Sequence, residues 1–340
     1  MSLRAVTLRG RLVLGTAVLI PAVGALAGAE PSGNGAQAPG WTAPRTPHGH
    51  PDLQGIWSNN TATPLERPET LGGQEAPTRE ELADLQARLA DLSESGQTGN
   101  PPGDRLAEQL LNDYDSFWLV AREPDIRAAL IIDPPDGRIP PLTAAARARL
   151  AKRQPAADRP AGPESLSLNA RCITFGVPNL VASYNSYFQI LQTADHVVIL
   201  QELIHDARLI PIDGQAHLDA AVRQWHGDSR GRWEGDALVI ETTNYSQQAS
   251  LHGASRNAHV TERLERVGPK TIEYTVTYAD PDTWERPWTL MIPLKKSNAD
   301  DALFEYACHE GNYAMEGILA GARAEETASS EARLGAAAGE

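Results

Sequence analysis

The sequence predicts a mainly β protein: an antiparallel sheet closed into a barrel or, as the alternative, folded into a two-sheet sandwich, with helices near its start and at its end. Three observations carry this. From residue 171 onward, β-rich runs follow one another at short intervals, and turn sequences separate them. In residues 271–278, Ile272, Tyr274, Val276 and Tyr278 alternate with Thr271, Glu273, Thr275 and Thr277, the period of two expected where a sheet buries one face. About nine consecutive strands joined by short turns have few ways to avoid exposed edges, and closure is the simplest. No internal period points to a propeller.

The chain opens with Arg4, Arg9 and Arg11, an apolar run over residues 12–20, and the small residues before Ala27 and Ala29. That order is a secretory signal, so residues 1–27 are expected to be removed and the mature chain to start near Gly28 or Glu30 in the periplasm or outside the cell. Residues 28–49, rich in Gly, Ala and Pro, lack apolar surface to bury and read as an unstructured lead-in. One β-rich domain is expected over 50–326, with a helical insertion at 78–153 and an unstructured tail at 327–340.

Each element has its own signal. Thr78-x-x-Glu81 is a capping box, and Leu82, Leu85, Leu89 and Leu92 follow at helical spacing, which predicts a helix over 78–95. Leu106, Leu110, Tyr114, Phe117 and Trp118 predict a second helix over 106–120. Asp136-Gly137 after paired prolines predicts a hairpin over 129–142. A helix over 143–153 and a loop over 154–169 follow. Strands are expected at 186–192, 197–203 and 207–212, then hairpins over 232–243, about Gly235-Asp236, and over 259–278. Strands at 288–294 and 303–308 and a helix at 312–325 complete the series.

Removing residues 1–27 takes three positive charges from a chain of formal net charge −14 and leaves −17. Such a surface repels phosphate backbones and anionic headgroups, which argues against nucleic-acid partners and membrane surfaces. No stretch after the signal is long and apolar enough to insert in a membrane. Cys172 and Cys308 are the two cysteines; in an exported protein they read as one disulfide.

Pro51-Asp-Leu-Gln-Gly-Ile-Trp57, Cys172-Ile-Thr-Phe-Gly-Val-Pro178, Gln224-Trp-His-Gly-Asp-Ser-Arg-Gly-Arg-Trp-Glu-Gly-Asp236 and Tyr306-Ala-Cys-His-Glu-Gly-Asn-Tyr313 resemble stretches of a large group of uncharacterised exported bacterial proteins. The resemblance spans nearly the whole mature chain and implies an exported location, but no activity. Gly55-x-Trp57 is also similar to the opening strand of lipocalin-like barrels.

Gly227-Asp-Ser-Arg-Gly231 matches the spacing of a nucleophile elbow, but that device needs a strand-to-helix turn and the residues that follow predict a hairpin. Three clusters are more informative: His205-Asp206-x-Arg208, His226-Gly-Asp228-x-Arg230 and Cys308-His309-Glu310. A carboxylate that holds an imidazole fixes its tautomer for acid–base work, and a neighbouring guanidinium can steady a developing oxyanion. The bland alternative is that these groups only complete buried hydrogen-bond networks. If Cys172 and Cys308 are linked, the clusters could converge at one barrel mouth, with Tyr184, Asn185, Trp225 and Glu310 contacting a small molecule. Neither metal-ligand spacing, apart from His48-x-His50, nor a phosphate loop is present, so no cofactor is expected. The leading expectation is therefore a cofactor-independent lyase, isomerase or hydrolase acting on a small neutral organic molecule; the alternative is a lipocalin-like carrier.

Overall fold

The computed structural model describes residues 41–69, 78–81, 83, 84, 87, 123, 127–180, 182, 184–248, 253–297 and 302–337. The expected signal, the lead-in up to residue 40, the helix over 106–120 and the leucines of the helix over 78–95 lie outside these. The capping box itself is formed: Glu81 N donates to Thr78 Oγ1 at 3.2 Å and Thr78 N to Glu81 Oε2 at 2.7 Å.

Ten strands and two longer helices are described: β1 (Gly55–Ser58), β2 (Ile131–Asp133), α1 (Ala144–Asp158), β3 (Tyr187–Gln192), β4 (His196–Gln201), β5 (Ala207–Pro211), β6 (Asp228–Glu234), β7 (Ala237–Thr243), β8 (His259–Gly268), β9 (Thr271–Ala279), β10 (Trp288–Lys296) and α2 (Tyr313–Ala337). They form one antiparallel sheet in the order β5-β4-β3-β1-β10-β9-β8-β7-β6, a nearly closed nine-strand barrel, with β2 added on β10. The barrel is the expected fold, and consecutive hairpins build most of it. The exception is β1, which enters between β3 and β10, pairing Trp57 with Phe188 on one side and with Lys296 on the other.

Register follows the alternation. Ile272, Tyr274, Val276 and Tyr278 face inward opposite Leu294, Ile292, Leu290 and Trp288 on one neighbour and Arg266, Leu264, Glu262 and Val260 on the other. Trp57, Trp284 and Trp288 are fully buried, and Tyr278 stacks on Trp288 with centroids 4.5 Å apart. At the seam, β5 and β6 face each other without pairing. A Cβ on Gly231 would lie 2.8 Å from Ile212 Cγ2 and 3.1 Å from Ile210 Cγ2, so the missing side chain lets the two edges approach.

Several expectations are corrected. The hairpin over 129–142 does not fold back on itself: Ile131–Asp133 pairs with β10, where Ile131 meets Leu290. Neighbouring strand edges offer more hydrogen bonds than the proline-interrupted partner could, because proline lacks the N–H a ladder needs. Residues 303–308 form no strand; the disulfide and the Phe304 N–Glu202 hydrogen bond lay them against the barrel instead. α1 runs five residues past 153. α2 passes beyond 325 to Ala337, through residues expected as a tail. Ala, Glu and Arg favour the helix there, and Arg323 pairs with Glu326 one turn on at 2.6 Å. Residues 41–49, expected in the lead-in, are tied down: Arg45 pairs with Asp236 at 2.6 Å, and Arg266 lies over the Trp41 and Trp57 rings. His50 stacks on Trp233 at 4.8 Å.

Candidate functional site

One end of the barrel gathers polar side chains, and the chain's local geometry places them there. Between β4 and β5 the turn at Ile204 and His205 takes positive φ values of 56° and 44°. It returns the chain so that Asp206 and Arg208, two residues apart, both point inward, while His205 and Leu209 point out to solvent. Asp206 is buried and accepts the Thr174 hydroxyl at 2.6 Å. His226 Nε2 lies 3.0 Å from Thr174 Oγ1 and 3.2 Å from Asp206 Oδ1.

The proton positions follow from the hydroxyl's capacity of one donor and two acceptor sites. Thr174 gives its hydrogen to Asp206 and accepts Gly176 N–H at 2.8 Å. Its remaining site can only accept, so Nε2 of His226 carries a hydrogen, and in the neutral ring Nδ1 then carries the lone pair. Among the described residues nothing hydrogen-bonds Nδ1, and the ring is half-buried. Gly227 sets that ring's place: at φ +68°, a Cβ there would lie 2.4 Å from Thr243 O and 3.1 Å from Tyr245 Cε1, so only glycine allows this approach.

The second histidine cluster is a brace. Asp228 is buried and accepts His217 Nδ1 and Leu218 N, each at 2.9 Å, and pairs with Arg230 Nη1 at 3.0 Å. Arg230 also donates to Ala216 O and Ser229 O. These contacts fasten the loop before β6, and Asp228 serves His217 rather than His226. Ser229 lies inside β6 with its hydroxyl 2.9 Å from Thr242 Oγ1, so no nucleophile elbow exists.

The third cluster is open to solvent. The disulfide Cys172–Cys308 is present and lays residues 302–312 against the same barrel end, where Tyr306 meets Tyr184 edge-on at 6.2 Å and Asn312 donates to Ala170 O at 2.9 Å. His309 and Glu310 nevertheless face outward. His205 and His309 are exposed while His226 is half-buried, and among the described residues His226 bonds Thr174 and Asp206 rather than either of them. Asn185 is buried but donates to Glu202 Oε1 at 2.6 Å, which also accepts Phe304 N at its other oxygen, 3.2 Å away. Burial pushes the Glu202 carboxyl up, and these two hydrogen bonds only partly oppose it. Trp225 is 40% exposed.

Below this mouth lies a charge pair that pattern reasoning only half found. Arg208, 5% exposed, grips Glu262 through Nη1 at 2.6 Å and Nη2 at 2.9 Å, and the Tyr274 hydroxyl donates to the same carboxylate. Burial alone would lower the Arg208 pKa, but the Glu262 charge and hydrogen bonds raise it above its ordinary value; burial and then Glu262 hold Tyr274 protonated. Asn179, Phe188, Ile190, Ile199, Gln201, Leu264 and Leu294 complete the lining of a cleft with Arg208 and Tyr274. A water molecule's centre can occupy about 10 Å³ of it, room for roughly one water. Glu262 was legible: Val260 and Leu264 set the inward phase of β8, and a glutamate between them sits on it.

Among the described residues no three His, Cys, Asp or Glu side chains gather as a metal site, and no helix is long and apolar enough to cross a membrane. No family model, curated protein or solved structure matches the chain.

Proposed function

We propose that the chain is an exported enzyme, periplasmic or secreted, that moves protons on a small neutral organic molecule at the polar end of its barrel, in a lyase, isomerase or hydrolase step needing no cofactor. The observation that carries this is the His226 ring. Its Nε2–H is held by Thr174 and Asp206 while Nδ1 remains unbonded beside a polar mouth. In this reading Nδ1 takes a proton from a substrate carbon or hydroxyl, Asp206 steadies the resulting imidazolium, and the same nitrogen returns the proton to product or leaving group. Asp206 and Thr174 are positioning residues. Arg208 lies one pleat inward, about 7 Å along the strand, where its charge is committed to Glu262. Export rests on the signal-like opening and is supported by the disulfide.

The test is incubation of the full disulfide-bonded protein in D₂O with a panel of small ketones, lactones, esters and epoxides, reading deuterium uptake and product by mass spectrometry. Turnover that falls about 10²- to 10⁴-fold in His226→Ala, with the melting temperature unchanged, is the expected result. Wild-type levels of turnover in His226→Ala would refute the assignment. A lipocalin-like carrier is the second reading, favoured by the mainly apolar cleft under the mouth; it expects saturable binding without chemistry.

A further inference from the structure

Two polar atoms in the cleft have no partner among the described residues. Arg208 spends both terminal nitrogens on Glu262, and its Nε–H, fully enclosed, finds no acceptor; Gln201 Oε1, equally enclosed, finds no donor. Gln201 ends β4 and Arg208 lies near the start of β5, and both line the same space. A buried donor and a buried acceptor left open in this way cost stability unless something fills them. What fills them must accept from one and donate to the other. It must also be uncharged, because Arg208 and Glu262 already neutralise each other and a further buried charge would go uncompensated. The remaining wall, Phe188, Ile190, Ile199, Leu264 and Leu294, suits an apolar body.

We infer that this cleft is a binding site for the carboxamide end, or an equivalent neutral donor–acceptor group, of a small apolar molecule: its carbonyl oxygen accepts from Arg208 Nε and its N–H donates to Gln201 Oε1. The inference shares with the proposed function the view that the barrel takes a small neutral molecule, but it does not require catalysis by His226. The present room, that of one water, means that such a ligand shifts side chains of the wall.

The experiment uses benzamide, N,N-dimethylbenzamide, benzoate, benzylamine and toluene against the full disulfide-bonded protein, with binding read by ligand-observed NMR. Benzamide should bind saturably, and the other four should bind at least about tenfold more weakly, the worth of one hydrogen bond or more. Gln201→Met, of similar volume, should weaken benzamide by about tenfold; the dimethyl compound makes the same deletion from the ligand side, so a poorly folded variant does not blunt the test. Benzoate binding as tightly as benzamide, benzamide binding unchanged in Gln201→Met, or no benzamide binding would overturn the inference. His226→Ala should leave benzamide binding intact. Benzamide binding by a protein that turns nothing over would count against the acid–base reading alone, and clear turnover without benzamide binding would count against the cleft alone.

Discussion

Cutting the Cys172–Cys308 link offers a direct measure of how the C-terminal segment is held to the barrel. The cross-linked residues are 136 apart in sequence, and the eight strands β3 to β10 lie between them. The closed loop therefore contains nearly the whole barrel, and the unfolded chain loses the most freedom from such a long closure. In the chain-entropy description a loop of that length contributes about 5 kcal/mol at 25 °C. Spread over the unfolding entropy of a folded unit of about 300 residues, that is a fall of about 8 °C in melting temperature. The double variant Cys172→Ala/Cys308→Ala, compared with the wild type by calorimetry and urea unfolding, should show a loss of this size. Hydrogen exchange should show residues 302–312 opening first, since the disulfide is their covalent cross-link to the barrel beside the contacts to Tyr184, Glu202 and Ala170. A loss below about 1 kcal/mol, with exchange changed only in that segment, would refute the entropic reasoning and leave the bond as a local staple.

Other expectations concern the buried polar groups. Arg208→Met should destabilise by about 3–5 kcal/mol, because it strands Glu262 inside the barrel, and adding Glu262→Gln should recover much of that loss; equal urea midpoints for the wild type and the single variant would count against the pair's geometry. Glu202 has a raised carboxyl pKa, so the folded state holds its proton more firmly than the unfolded state does. Its stabilising effect is complete at acid pH and fades as pH rises from the ordinary glutamate range through the raised value. The stability of Glu202→Gln relative to the wild type should therefore improve between about pH 4 and pH 7; a flat or falling difference would show that Asn185 and Phe304 N outweigh burial.

The barrel was legible in the sequence because a one-sided sheet imprints its period of two directly on the residues, as β9 does. The turns at Asp195, Gly235 and Gly268 were legible because their residue types suit the backbone those turns adopt. The nucleophile-elbow spacing was rightly set aside, since a strand continues through Ser229. The single disulfide needed only a pair count and a compartment. Glu262 stood on an inward phase and could have been found from the alternation of its own strand.

Tertiary structure decided what depends on partners distant in the chain. The sequence offered His205, His226 and His309 in three separate clusters, with His226 or His205 as the base. The positive-φ turn before Asp206 exposes His205 and buries its neighbour's carboxylate, while residues 302–312 lie across the barrel end with His309 outward. By motif Asp228 was the neighbour of His226 and Asp206 that of His205, yet β6 gives Asp228 to His217 and the strand β5 brings Asp206 to His226. Thr174 joins that pair from a loop 52 residues away, and β2 finds β10 rather than the chain that follows it. Local sequence sets the period of each strand and the shape of each turn, because those depend on neighbouring residues alone. The pairing of buried charges and the meeting of hydroxyl, carboxylate and imidazole are fixed only when a closed sheet brings distant inward positions into one volume.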